Sequence, residues 1–151
     1  MPEVIPIGSD HAGVELKARL VAELRALGYE PLDLGTTGTE SVDYPDFAHA
    51  VAGRVERHEA GRGVLLCGTG LGMSFAANRH PGVRAAVAWS AEVARLAREH
   101  NDANVLVLPA RFVSEDQGVE ILRTWLNTGF AGGRHSRRVA KIDRSTDEPR
   151  P

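Results

Sequence analysis

Residues 63–72 read Gly63-Val64-Leu65-Leu66-Cys67-Gly68-Thr69-Gly70-Leu71-Gly72. The first half has no charged or amide side chain, the pattern of a strand covered on both faces, as in a parallel sheet. The second half puts glycine at every other residue and leads into a small-residue helix through Ala76, Ala77 and Asn78. Strand, turn and helix alternate in both directions from here. Upstream, Val4-Ile5-Pro6-Ile7 is an apolar run ending at Gly8. Leu16, Leu20, Leu24 and Leu27 then recur at three and four residues as one helix face, which Gly28 ends. Pro31-Leu32-Asp33-Leu34 is a second strand, residues 35–43 a polar loop, and Pro45 suits the first turn of a helix carrying Phe47, Ala48, Val51 and Val55. Downstream, Val83–Val87 and Ala103–Leu108 read as strands. Ser90 caps a helix over Ala91–Arg98, and Val113–Leu126 is another helix with Val119, Ile121, Leu122 and Trp125 inward. Five strands, each followed by a helix, predict an α/β fold: a three-layer α/β/α sandwich around a five-stranded parallel, Rossmann-like sheet. Pro6 cannot donate to a ladder, so the first strand is expected to lie at an edge or to be irregular there.

A chain of 151 residues suits one domain, expected over 1–143, with 144–151 a frayed tail. Lys and Arg number 18 against 20 Asp and Glu, so no global charge attracts nucleic acid or an anionic membrane. One cysteine excludes an intrachain disulfide and a Cys-cluster zinc site. No apolar run approaches the roughly 20 residues of a membrane span. Met1-Pro2-Glu3 lacks the basic start of a signal peptide, and a cytoplasmic protein is the expectation.

Ligands of open parallel sheets bind beyond the carboxyl ends of the strands. Asp10 and His11 follow the first strand, Asp43 and Tyr44 the loop after the second, Cys67 and its glycines the third, and Arg111 the fifth. A lone cysteine ending an apolar strand is usually inert core. Here the glycines let several N–H groups converge on one spot. The following helix favours thiolate, and the amides suit a developing oxyanion. A dinucleotide site fits poorly, because the spacing is Gly-x-Gly-x-Gly and no acid ends the next strand, where Ala88, Trp89 and Ser90 stand. A Walker loop is excluded for want of Gly-Lys-Ser/Thr. Asp10 also reads as a helix cap, and His100-Asn101-Asp102 as ordinary turn formers between a helix and a strand, although a histidine there suits proton transfer near neutrality. Arg134 and Arg138, four apart, project from one helical face and suit a phosphate, with Arg111 a possible third. That basic cluster is too small for nucleic acid. The six histidines show no metal-ligand spacing, so no metal is expected.

Seven motifs occur in one order: Gly-Ser-Asp-His-Ala-Gly (8–13), Asp-Tyr-Pro (43–45), Cys-Gly-Thr-Gly-Leu-Gly-Met-Ser (67–74), Ala-Ala-Asn (76–78), Gly-Val-Arg-Ala (82–85), His-Asn-Asp-Ala-Asn-Val-Leu (100–106) and Gly-Gly-Arg-His (132–135). Together they resemble the B-type ribose-5-phosphate isomerases, a family shared with galactose-6-phosphate isomerase subunits, from about Val4 to Ile142. The resemblance implies a metal- and cofactor-free aldose–ketose isomerase that works on a sugar phosphate through an enediolate. It implies that Cys67 is the base between C1 and C2 and that His100 opens the furanose ring. Some relatives have serine where this chain has Cys67, and a glutamate further along the loop as base; this chain has no acid between 68 and 77 and so resembles the cysteine type. Asp10 and His11 correspond to contacts at the sugar end and phosphate. Gly68, Thr69, Gly70, Leu71 and Gly72 correspond to the enediolate cradle, with Thr69 and Asp10 among the catalytic set. Tyr44 and Asn101 correspond to sugar contacts. His11, Arg111, Arg134 and Arg138 correspond to the phosphate grip. Arg138 is preferred to its neighbour Arg137 because the family pattern has a valine next, here Val139. The family's site is shared across a homodimer, with pairing into a tetramer left open, so residues from 100 onward are expected to serve the partner's site. Phe75, where smaller aliphatic residues are usual, and Pro6 are expected to affect the pocket. The sugar, of four, five or six carbons, stays open, as does a non-catalytic phosphosugar-binding module.

Overall fold

Val64, Leu65 and Leu66 are fully buried in β3 (Gly63–Cys67), the central strand of a five-stranded parallel sheet. The computed structural model describes residues 1–143; the expected frayed tail, 144–151, lies outside them. Before β3 come β1 (Val4–Ser9), one 3₁₀ turn (His11–Gly13), α1 (Val14–Ala26), β2 (Glu30–Asp33) and α2 (Tyr44–Glu56). After it come α3 (Leu71–Ala77), β4 (Ala85–Val87), α4 (Ala91–Asn101), β5 (Val105–Pro109), α5 (Glu115–Asn127) and α6 (Arg134–Ile142). The strand order is β2-β1-β3-β5-β4, every neighbouring pair parallel.

The period of two along each strand divides the core between the sheet's faces. Ile5, Ile7, Val64, Leu66, Leu106 and Leu108 pack with Leu16, Leu20 and Leu24 of α1 and Ile121, Leu122 and Trp125 of α5. Leu65, Cys67, Val105 and Val107 face the other way, onto Val51 and Val55 of α2 and Met73 and Ala77 of α3. The expected three layers result, each fully buried Leu or Ile contributing about 1.5–3 kcal/mol. Among the described residues no helix is long and apolar enough to cross a membrane.

Two local expectations are corrected. β1 is an interior strand, not an edge, and it continues through Pro6 and Gly8 to Ser9. Pro6 is tolerated because of register. Ile7 and Ser9 turn their backbone groups toward β2, where Ile7 accepts from Leu34 and Ser9 donates to Gly35. Pro6 therefore faces β3, whose pairing starts one residue later at Ile7–Val64, so no ladder bond is lost. Second, α4 runs to Asn101, which puts His100 and Asn101 in its last turn rather than in a connecting turn; only Asp102, at φ +49°, leaves the helix. The basic segment after α5 forms a helix, α6, as the spacing of Arg134 and Arg138 expected.

The chain reaches β2 on one side of β1 and β3 on the other. That reversal opens a crevice beyond the carboxyl ends of β1 and β3, where Asp10 and Cys67 stand.

Candidate active site

Cys67 ends β3 and is 5% exposed, at the margin of the α2/α3 layer. Its sulfur turns back under the glycine loop and accepts a hydrogen bond from the Gly70 amide, 3.2 Å away. Gly70, at φ +78°, makes that turn possible, and a β-carbon there would press on Val87 and Val107 at 3.1 and 3.3 Å. The Leu71 amide donates to Thr69 Oγ1 at 3.2 Å, which leaves the threonine hydroxyl proton free to donate elsewhere. Among the described residues, the amides of Thr69 and Gly72 have no partner. Cys67, two unengaged amides and a free hydroxyl thus occupy one turn.

Flanking groups close over it. A β-carbon at position 72 would collide with the Tyr44 ring, 2.9 Å from its hydroxyl. Tyr44 opens α2, and its ring lies across the start of α3 because Gly72 leaves room. A β-carbon at 68 would lie 2.9 Å from an Arg111 guanidinium nitrogen. The Ala110 and Arg111 amides donate to the Cys67 and Gly68 carbonyls at 2.9 and 3.0 Å, which fixes this arginine over the loop. The Asp10 amide donates to the Leu66 carbonyl at 3.2 Å and ties the end of β1 to that of β3. Asp10 Oδ1 caps the 3₁₀ turn through the Ala12 amide, as its reading as a helix cap expected, and among the described residues its second oxygen accepts no hydrogen bond. His11 Nδ1 accepts from the Val42 amide at 3.3 Å. In the neutral ring that contact puts the proton on Nε2, as a donor.

His100, Asn101, Arg134 and Arg138 are elsewhere. α4 returns antiparallel to the strands, so its last turn precedes β5, whereas Cys67 and Arg111 follow the strands. The length of β5, about 13 Å at 3.3 Å per residue, separates the two ends. Arg111 is thus an exception to the expectation that residues from 100 onward serve a partner: it sits in its own chain's loop. A cavity of about 680 Å³ lies beside the leading ends of β4 and β5, lined by Asn78, Arg84 and Asn101 among others, and Cys67 does not line it. On α6, Val139 is buried and His135 stacks on His100, with ring centroids 4.4 Å apart and planes at 13°. Burial first, then the charges of His100, Arg134 and Arg138, hold His135 below the ordinary histidine pKa. Arg137 has no part in that repulsion, since at 100° per residue it is turned away while Arg134 and Arg138 flank His135.

The contact between His100 and His135 was not legible in the sequence. It joins two helices, and no periodicity within either helix encodes it. Phe75 does not enter the Cys67 loop; it is 65% exposed on α3, one turn beyond Leu71, which is also exposed.

The whole described chain has known relatives. Residues 5–142 match the family model for ribose/galactose isomerase. The chain is 44% identical over 138 residues to ribose-5-phosphate isomerase B of Escherichia coli, covering 91% of this chain and 93% of that protein. A ribose-5-phosphate isomerase B structure from Clostridium thermocellum superposes with a TM-score of 0.91 at 53% identity, covering 93% of this chain and 95% of the other. The enzyme of that name from Mycoplasma genitalium, solved with bound ribulose-5-phosphate, superposes at 0.91 with 42% identity over 95% of both chains.

Proposed function

The chain belongs to the ribose/galactose isomerase family, and on that premise we propose that it interconverts ribose 5-phosphate and ribulose 5-phosphate through an enediolate, without metal or organic cofactor. Residues 1–143 act as one domain, and each site is shared by two copies. The observation that carries this reading is the Cys67 sulfur, bonded to the Gly70 amide within a turn that also offers the Thr69 and Gly72 amides and the Thr69 hydroxyl.

The sugar enters as a furanose. His100 takes the proton from the C1 hydroxyl, the bond from C1 to the ring oxygen breaks, and that oxygen is protonated, leaving an aldehyde. The Cys67 thiolate removes the C2 proton, and the electron pair moves through C1=C2 onto O1. Amides aimed at O1 stabilise this charge where water is excluded. The same sulfur returns its proton to C1 while the O2 proton passes to O1, which gives the ketone. Asp10 and Tyr44 hold sugar hydroxyls of the open chain. His11 and Arg111 from one chain, with Arg134 and Arg138 from the other, hold the phosphate and so fix which carbon meets the sulfur. The separation of the Cys67 and His100 groups within one chain supports the shared dimer: a second copy is needed to bring Asn101, His100 and the α6 arginines over the glycine loop.

A panel of aldose phosphates of four, five and six carbons, followed by NMR in deuterated water, tests the proposal. Ribose 5-phosphate is expected to convert fastest and to acquire one solvent deuterium at the carbons between which the proton moves. Preferred turnover of a six-carbon sugar would reassign the substrate. Saturable binding with no deuterium uptake would reduce the protein to a binding module.

A further inference from the structure

We propose that His135 is a positioning residue for His100: its imidazole, lying face to face on that of His100, holds the ring that opens the sugar in its working orientation. The inference rests on the isomerase reading above and extends it to a residue that touches neither the reacting carbons nor, in its own chain, the Cys67 loop.

The contact is built by the backbone. Gly132 and Gly133, at φ +66° and +59°, turn the chain in a way L side chains rarely allow and lay α6 along α4. Just ahead of them the Ala131 amide donates to the Glu99 carbonyl at 3.0 Å, and Arg98 Nε donates to the Thr128 carbonyl at 3.0 Å. The segment leading to His135 is therefore fastened to the two residues that precede His100. A histidine in the last turn of a half-exposed helix has several rotamers open to it, and a reacting group that wanders among them loses orientation. The stacked ring, 4.4 Å away and 13° from parallel, removes that freedom. Charge sorts the roles. Burial first, then His100 and the adjacent Arg134 and Arg138, disfavour a proton on His135. His135 thus presents a flat neutral face, the arginines carry the positive charge, and His100 carries the proton that moves.

The test compares two substrates that differ in whether a ring must open. Erythrose 4-phosphate has its 4-hydroxyl esterified and cannot close a furanose, so its isomerisation does not call on His100. His135→Ala is expected to lower kcat for ribose 5-phosphate about tenfold, with KM changed by less than about twofold, and to leave erythrose 4-phosphate turnover unchanged. His135→Phe, which keeps a flat ring, is expected to recover most of the ribose 5-phosphate rate and guards against a folding defect in the alanine variant. Equal losses on both substrates would make His135 part of the phosphate grip or the scaffold and overturn the proposal. Unchanged rates on both, or no rescue by phenylalanine, would overturn it too. A wild-type protein inactive on every aldose phosphate would sink the isomerase reading itself, a result distinguishable from these.

Discussion

Replacing Lys17 by methionine and, separately, Asp33 by asparagine breaks one ion pair from its two ends, and the structure makes the ends unequal. Lys17 Nζ lies 2.6 and 2.7 Å from the two Asp33 oxygens, with side-chain exposures of 3% for the lysine and 37% for the aspartate. Asp33 Oδ1 also accepts the Gly35 amide at 2.9 Å, at the start of the loop that leads to Tyr44. Removing one partner of a fully buried pair costs about 3–5 kcal/mol because a charge is left behind without compensation. In Lys17→Met the abandoned carboxylate is more than a third exposed and turns to water, while methionine fills most of the lysine's volume; the expected cost is about 2 kcal/mol. In Asp33→Asn the abandoned ammonium is enclosed and the full penalty applies, about 3–4 kcal/mol, although the asparagine oxygen still accepts from Gly35. Urea unfolding of the three proteins, with m unchanged, reads the difference, and melting temperatures are expected to fall by about 5 °C and about 10 °C respectively. Equal losses, or a larger loss for Lys17→Met, would refute the argument from unequal burial.

Gly72→Ala is expected to leave stability within about 1 kcal/mol, since alanine suits a helix start, yet to lower kcat/KM at least about tenfold by displacing the Tyr44 ring; a circular-dichroism melt beside steady-state kinetics checks both halves. Separately inactive Cys67→Ala and His100→Ala proteins, mixed, unfolded and refolded together, are expected to regain about a quarter of wild-type activity. Half the dimers are then mixed and each mixed dimer holds one intact site; no recovery would argue against shared sites. His135 is held below the ordinary histidine pKa, so on acidification the unfolded chain takes up that proton before the folded one. Stability is therefore expected to fall as pH drops below the ordinary histidine value, and His135→Phe should flatten that slope in urea midpoints measured across the range.

The layered sheet was legible because burial on both faces leaves strands such as 63–67 and 105–108 without a charged residue, and because Leu16, Leu20 and Leu24 fall on one helix face. Gly68, Gly70 and Gly72 announced a turn, and the structure explains each by a neighbour that occupies the space of a side chain: Arg111, the two valines and Tyr44. Pro6 misled because a proline's cost depends on which strand its missing N–H faces, and that register is a property of the sheet. The last turn of α4 looks like a connecting turn in sequence because Asn101 and Asp102 favour turns, whereas only Asp102 bends away. Lys17–Asp33 and His100–His135 join distant segments, and pairings of that kind leave no periodic trace in either segment.

The sharpest test of the account follows hydrogen at the substrate carbon. Cys67→Ala, soaked with ribose 5-phosphate in deuterated water, is expected to bind the sugar with near wild-type affinity by calorimetry and to place no deuterium at C1 or C2. Deuterium entering the product at the wild-type rate would take the proton away from the sulfur and leave the glycine turn without its proposed chemistry.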